Sequence, residues 1–299
     1  MYIYHAYGLC IHSEIALPEL PIGENAPDIV IRIAQLEEIT KDTLDYSERV
    51  LGTLPGIGRF LIEYGKQILV EPEAGVEEKM LSPSILGTAM SVLLQQRGLL
   101  VLHASSVAID HQAIAFMGGA GWGKSTLAAA FHAKGFSVLT DDVMPIRIDQ
   151  GRCTVIPAFP QFKLWHQTAE VLGHDPSHFP AIHPRSPKLS YTFVDGFQQN
   201  PLALKRIYVL AKGENHQIIP LPAQEAFVEL VRHSRAVNVM TRSNAIATHT
   251  QRCFELVKQV SFCRFIRKPS LAELSNLVKL VEDDLEQLDT HSSALVVNN

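Results

Sequence analysis

A chain of 299 residues with 46% hydrophobic and 19% charged residues can bury one large core or two, at about 150 residues per domain. Its net charge of −5 lacks the basic field expected of a protein that binds nucleic acid or anionic lipid. No apolar run approaches the about 18 residues of a membrane span, and residues 1–5 lack the charged and apolar regions of a secretory signal. A soluble, cytoplasmic protein is therefore expected, without nucleic-acid or membrane partners. Cys10, Cys153, Cys253 and Cys263 share no C-x-x-C spacing, so buried reduced thiols are expected rather than a disulfide or a zinc site.

Residues 1–82 read as a small β-rich domain. Aromatic and β-branched residues mark strand character over 2–7, which 8–13 continues, and 28–33 and 59–64 alternate. Gly65-Lys66 turns the last of these into 67–71 as a hairpin. No catalytic constellation falls in this part. An amphipathic helix then begins at Ser84, with Ile85, Leu86, Ala89, Val92 and Leu93 on one face, and stops near Gly98.

The stretch from His103 to Asp142 carries the chemistry. A short buried strand over 99–102 delivers His103, and a second strand over 106–109 turns through Asp110-His111 into 113–117. That apolar strand ends at Gly118-Gly119-Ala120-Gly121-Trp122-Gly123-Lys124-Ser125, which fits G-x-x-x-x-G-K-[ST] at every fixed position and runs into Thr126 and a helix to about residue 133. Consecutive backbone N–H groups in such a loop wrap phosphates, and the helix N-terminus favours their charge. Lys124 is placed to reach the β- and γ-phosphates and Ser125 to ligate Mg²⁺. ATP and Mg²⁺ are thus the expected cofactors. Trp122 either stacks on a ligand or stands exposed.

Lys134-Gly135 caps that helix, and the strand over 137–140 runs into Asp141-Asp142. Successive side chains of a strand point to opposite faces, so one acid can face a metal and the other an incoming hydroxyl. Asp-Asp also suits a solvated turn or a helix cap.

Downstream, 147–156 reads as a hairpin turning at Asp149-Gln150-Gly151, and a short helix ends near Gly173. Residues 174–189 form a long polar connection with Arg185 and Lys188, the latter either touching phosphate or solvated. A strand over 205–210 returns to the sheet. Helices follow from Gln224, then a strand over 263–267, and a capping box of Ser270 with Glu273 opens a helix to about Leu288. Residues 290–299 read as a flexible tail, leaving 83–289 as the second domain.

The order of these pieces resembles the HPr kinase/phosphorylase family of P-loop serine kinases. His103, the loop from Gly118 to Ser125, and Asp141-Asp142 stand in that family's order at similar spacing. The chain looks most like the HPr-kinase-like proteins of lasso-peptide biosynthesis clusters, through Tyr4-His5-Ala6-Tyr7-Gly8-Leu9 and Leu102 to Ser106. The likeness is loose over most of the chain and specific from 102 to 142. It implies an α/β fold: a P-loop, HPr kinase-like nucleotide-binding core with a small N-terminal β-rich domain and C-terminal helices. It implies an ATP-dependent serine kinase acting on a peptide or protein, such as a lasso-type precursor, and a homo-oligomer. Residue by residue, Asp142 is the base for the serine hydroxyl and Lys124 and Ser125 hold phosphates and Mg²⁺. Asp141 supports the metal, and His103 lies beside the substrate. The family's E-[IV]-R-G-x-G segment is absent, and Glu170 is the only acid near enough in sequence to stand in for its glutamate. HPr itself and the reverse reaction therefore fall outside what the likeness supports.

The alternatives are a nucleotide-binding regulatory module that transfers nothing, and HPr(Ser) kinase proper. An ABC-type ATPase lacks support without an L-S-G-G-Q sequence. A nucleoside or sulfate-activating kinase would need more lid arginines than this chain offers.

Overall fold

The computed structural model describes residues 1–36, 48–184, 186–235 and 245–297. Strands β1 (Tyr2–Ala6), β2 (Leu9–Ser13), β3 (Ile29–Ile33), β4 (Arg49–Leu54), β5 (Gly58–Glu63) and β6 (Gln67–Pro72) form one six-stranded sheet. Their order is β1-β2-β3-β6-β5-β4. β1 reverses into β2 through Tyr7 and Gly8, both left-handed at φ 58° and 69°, the turn whose twist matches that of the flanking strands. β4 is not expected from its weakly alternating sequence; it exists because β5 offers a partner from Gly58 to Glu63.

A helical run follows: α1 (Ser82–Ser84), a wider π turn over Ile85–Ala89, and α2 (Met90–Gln96). Its Ile85, Leu86, Ala89 and Leu93 enter the same apolar cluster as Ile11, Ile29, Ile31 and Val70 of the sheet. The same cluster takes in Val101, Val143, Ala158 and Phe159, so this helix packs between the first sheet and the part of the chain that follows it.

The second unit contains β7 (Leu100–Leu102), β8 (Ala104–Ile109), β9 (Gln112–Met117), α3 (Lys124–Ala133), β10 (Val138–Thr140), β11 (Met144–Asp149) and β12 (Arg152–Val155). It continues with β13 (Gln161–Trp165), α4 (His166–Val171), β14 (Lys188–Thr192), β15 (Leu202–Lys212) and β16 (Gln217–Pro220). α5 (Ala223–His233), α6 (Ala245–Gln259), β17 (Ser261–Arg267) and α7 (Leu274–Val297) complete it. Nine strands make a mixed sheet in the order β10-β8-β9-β15-β12-β11-β7, with β17 beside β15 and β16 beside β17.

Period-two alternation splits this sheet between two helical layers. Ile114, Phe116, Tyr208, Leu210 and Phe265 face α3 and α7 through Leu127, Phe131, Leu277 and Val281. Ala113, Ala115, Ile207, Val209 and Phe262 face α5 and α6 through Leu230, Cys253 and Leu256. The fold is mixed α/β. Its β9, β15 and β17 run parallel, so their carboxyl ends open on one edge, where open α/β sheets place ligands.

Three local expectations change. The polar stretch over 174–189 ends in β14, which pairs with β13 as a separate two-stranded ribbon. Its apolar alternation is short, and Phe162, Tyr191 and Phe193 secure it by mutual ring contacts. The Ser270 side chain makes no cap hydrogen bond; Glu273 instead accepts from Asn276 at 2.8 Å and stands 3.8 Å from His216. Finally, α7 runs to Val297 rather than ending near Leu288, so most of the expected tail is helical. No glycine or proline interrupts that stretch, and extending an existing helix is far cheaper than nucleating one.

Candidate functional site

The glycine-rich loop leaves β9 at the open edge of the sheet and enters α3 at Lys124. Gly121 and Gly123 sit at φ 73° and 77°, a region that β-carbon-bearing residues enter at a cost. A β-carbon on Gly119 would lie 3.0 Å from the Trp122 indole nitrogen, so the ring lies folded over its own loop. Trp122 is partly buried against the α3–α7 core rather than free. Ala120 through Leu127 line a cavity of about 370 Å³. Gly118 and Gly119 stand behind it, where their carbonyls accept from the Lys124 ammonium at 2.9 and 3.2 Å. Burial pushes that ammonium down to about 8, against the opposing pull of Asp141 and Asp142.

Of the acid pair, Asp142 lines the same cavity and Asp141 is buried behind it. β10 pairs with β8, which sets Asp141 against Ser105, whose hydroxyl donates at 2.6 Å. The Lys163 backbone N–H donates to the other Asp141 oxygen at 3.1 Å. Burial raises the Asp141 carboxyl, and hydrogen bonds from Ser105, Lys163 and Ser125 oppose that rise. Asp142 lies past the end of β10 and reaches the cavity from a left-handed backbone at φ 74°, a turn rather than strand alternation. The turn is fixed by Thr140, whose hydroxyl donates to the Val143 carbonyl at 2.6 Å.

Asp142 is held by charge. The Lys163 ammonium donates to it at 2.6 Å, and the Arg235 guanidinium pairs with its other oxygen. Burial alone would raise this carboxyl, but the Lys163 and Arg235 cations outweigh it and hold it well below the usual carboxylate range. The His103 ring nitrogen Nε2 lies 3.5 Å from Asp142, and the His103 backbone N–H donates to the His233 carbonyl at 2.8 Å. Partial burial, with Lys124 and Arg235 adding, pushes His103 down to about 3, so its imidazole is neutral at pH 7.

Several cavity residues carry no sequence motif. Lys163 and Trp165 come from β13, Gln167 and Thr168 from α4, and Lys212 and Arg267 from the ends of β15 and β17. The Arg267 guanidinium donates to the Trp122 carbonyl and lies over Gly123, while its buried Nε has no partner. No local sequence signal marks them; Lys163, Arg235 and Arg267 meet the site through tertiary pairing. Lys188 lines the cavity at its rim, Arg185 lies outside the described residues, and Glu170 is exposed and is not among the residues that line it.

The fold and cavity define a mixed α/β chain in which a glycine-rich loop and Asp142 line one cavity. No family model and no curated protein matches the chain. Its structure is similar to the Hpr(Ser) kinase/phosphatase from Coxiella burnetii, at 12% sequence identity and a TM-score of 0.35. That match covers 62% of this chain and 97% of the other. Similarity at this level carries no conclusion about chemistry, which rests on the residues themselves.

The residues fit a magnesium nucleotide. Left-handed glycines and a first helical turn without intrahelical acceptors suit phosphate oxygens. Ser125 lies close enough to Asp141 to lower its carboxyl, which puts two oxygen ligands near each other. That donor set suits a hard cation that keeps several waters and takes further ligands from phosphate.

Proposed function

We propose that this protein is an ATP-dependent kinase that phosphorylates a serine hydroxyl on a peptide or protein, with a precursor peptide of the lasso type as the first substrate to try. One observation carries the reading: Asp142 and the Gly121–Ser125 loop line opposite walls of one cavity. Bound nucleotide would supply the phosphoryl group, and Mg²⁺, held by Ser125 and Asp141, would neutralise its charge. Lys124, released from the Gly118 and Gly119 carbonyls, pairs with phosphate oxygens. Asp142, ionised, accepts a hydrogen bond from the serine hydroxyl and takes its proton as the new O–P bond forms and the bond to the departing ADP breaks. Neutral His103 orients the same hydroxyl without adding charge beside Lys124.

A second reading, a nucleotide-binding module without transfer, is favoured by one feature: Asp142 is already paired with both Lys163 and Arg235. Incubation with ATP–Mg²⁺ and candidate precursors, read by mass spectrometry, separates the two. The kinase reading expects the mass of one phosphate per modified serine, lost in the serine-to-alanine precursor and in Asp142→Asn. Nucleotide binding with no mass gain across HPr and precursor peptides would establish the module instead.

A further inference from the structure

The ribbon of β13 and β14 has two unlike faces. Phe162 and Leu164 turn into the core beneath α3, while Gln161, Lys163 and Trp165 point the other way beside Lys188 and Ser190. Lys163 reaches Asp142, and Trp165 lies two residues farther out, paired in register with Lys188. The Lys188 ammonium stands 5.7 Å from the Trp165 ring centroid, a cation–π arrangement. Trp165 is 45% exposed, although it lines the cavity. The polar face thus makes a strip running from the candidate base to the rim.

Charge on this strip is one-sided. Lys124, Lys163, Lys188, Lys212 and Arg267 line the cavity against one carboxylate, Asp142, in a chain of net charge −5. Lys124, Lys212 and Arg267 lie at the loop, where nucleotide phosphates answer them, and Lys163 is matched by Asp142. Lys188 stands on the Trp165 side of the cavity, partnered by an aromatic face. A cationic cleft in an acidic protein concentrates anions of the matching shape.

We propose that this strip docks the acceptor, and that the acceptor is an acidic peptide segment whose Asp or Glu carboxylate seats on Lys188 against Trp165. The inference rests on the kinase reading above and names its substrate class. Two strand residues span about 7 Å, so an extended peptide with its serine at Asp142 brings a side chain two positions away to Lys188. The ring of Trp165 supports the stem of that side chain while its carboxylate meets the ammonium.

The test uses the full chain with ADP and end-blocked fluorescent peptides carrying alanine at the acceptor position. One Glu is moved through the flanking positions, each peptide having a Gln twin, and affinity is read by anisotropy at low and high salt. Glu two positions from the centre should bind about tenfold tighter than Gln, with the difference shrinking at high salt. Lys188→Gln should bring the twins to parity, and Lys188→Glu should favour a peptide carrying Lys there. Equal binding of the twins, a preference that survives Lys188→Glu, or a single-stranded oligonucleotide that binds tighter than every Glu peptide would overturn the proposal. Serine versions are then assayed for mass gain. Preference without transfer removes the kinase reading and keeps the acidic docking strip, whereas transfer without preference does the reverse.

Discussion

The two walls of the cavity are built by opposite means. The loop wall is one contiguous segment, Ala120 to Leu127, fed by a buried strand and closed by a helix, and its chemistry lies in its backbone. The acid wall is assembled from His103, Asp142, Lys163 and Arg235, drawn from four separate parts of the chain. The loop can form wherever its strand and helix form. The acid wall exists only once β8, β10, β13 and the end of α5 have met. Its charge balance, rather than any local propensity, sets the state of the acid.

The sharpest break between the walls is a crossed pair of variants. Lys124→Ala should weaken ATP about a hundredfold by isothermal calorimetry, because a buried charge-assisted contact to phosphate is lost. Asp142→Asn should lower the transfer rate about a thousandfold, as loss of a positioned base does, and leave ATP affinity near that of the wild type. If Asp142→Asn weakened ATP as much as Lys124→Ala, the walls would be one site and the base assignment would be wrong.

Lys163→Ala tests the charge balance. With one cation gone, the Asp142 carboxyl rises toward its ordinary value, and Asp142 becomes protonated at a higher pH. The acid limb of the rate profile should therefore move upward by about one pH unit, staying below about pH 4, where an ordinary carboxyl titrates, and leaving the rate at neutral pH untouched by this effect. A profile unchanged from the wild type would mean that Arg235 alone holds the acid.

The loop wall carries its own pH signature. Free Lys124 titrates near 8, and phosphate would stabilise its charged form, so binding takes up a proton above pH 8. ATP affinity should be flat below pH 8 and fall by up to about tenfold per unit above it. Calorimetry in two buffers of different ionisation heat would show the uptake directly, and flat affinity to pH 10 would refute it.

What sequence reveals follows the same division. Gly118 to Ser125 is legible because its strand-to-helix turn needs glycines where the backbone is left-handed, at Gly121 and Gly123, and starts the helix at Lys124, all local requirements. Asp141 and Asp142 are legible only by position, one helix and one strand after that lysine. Lys163, Arg235 and Arg267 are silent, because a lysine in a strand or an arginine after a helix looks the same whether solvated or paired with an acid far along the chain. β14 is hidden similarly, since its pairing with β13 and its ring contacts outweigh the polar stretch before it. The helix over residues 84–97 shows how an amphipathic face reveals that it packs and leaves open which sheet it packs on.

The smallest predicted effects lie behind the walls, in two buried tyrosines. Tyr208 backs the loop wall: it is the register partner of Phe116 on β9 and stacks on that ring at 5.8 Å between centroids. Its hydroxyl donates to Asp284 at 2.6 Å, and Asp284 also pairs with Arg206. Tyr7 backs the acid wall, its N–H on the Ala158 carbonyl at 3.3 Å and its ring edge-on to Phe159. Burial pushes its phenol up, Asp142 adds to the rise and Arg235 opposes it, yet its hydroxyl has no partner among the described residues. Removing a hydroxyl that bonds a carboxylate costs about 1.5–3 kcal/mol, whereas removing an orphan relieves a desolvated group. Tyr208→Phe should thus lower the Tm by several degrees, and Tyr7→Phe should leave it unchanged or slightly higher. Equal losses in the two melts would show that Tyr7 has a polar partner, and Asp142 and Arg235 are the charged groups nearest to supply one.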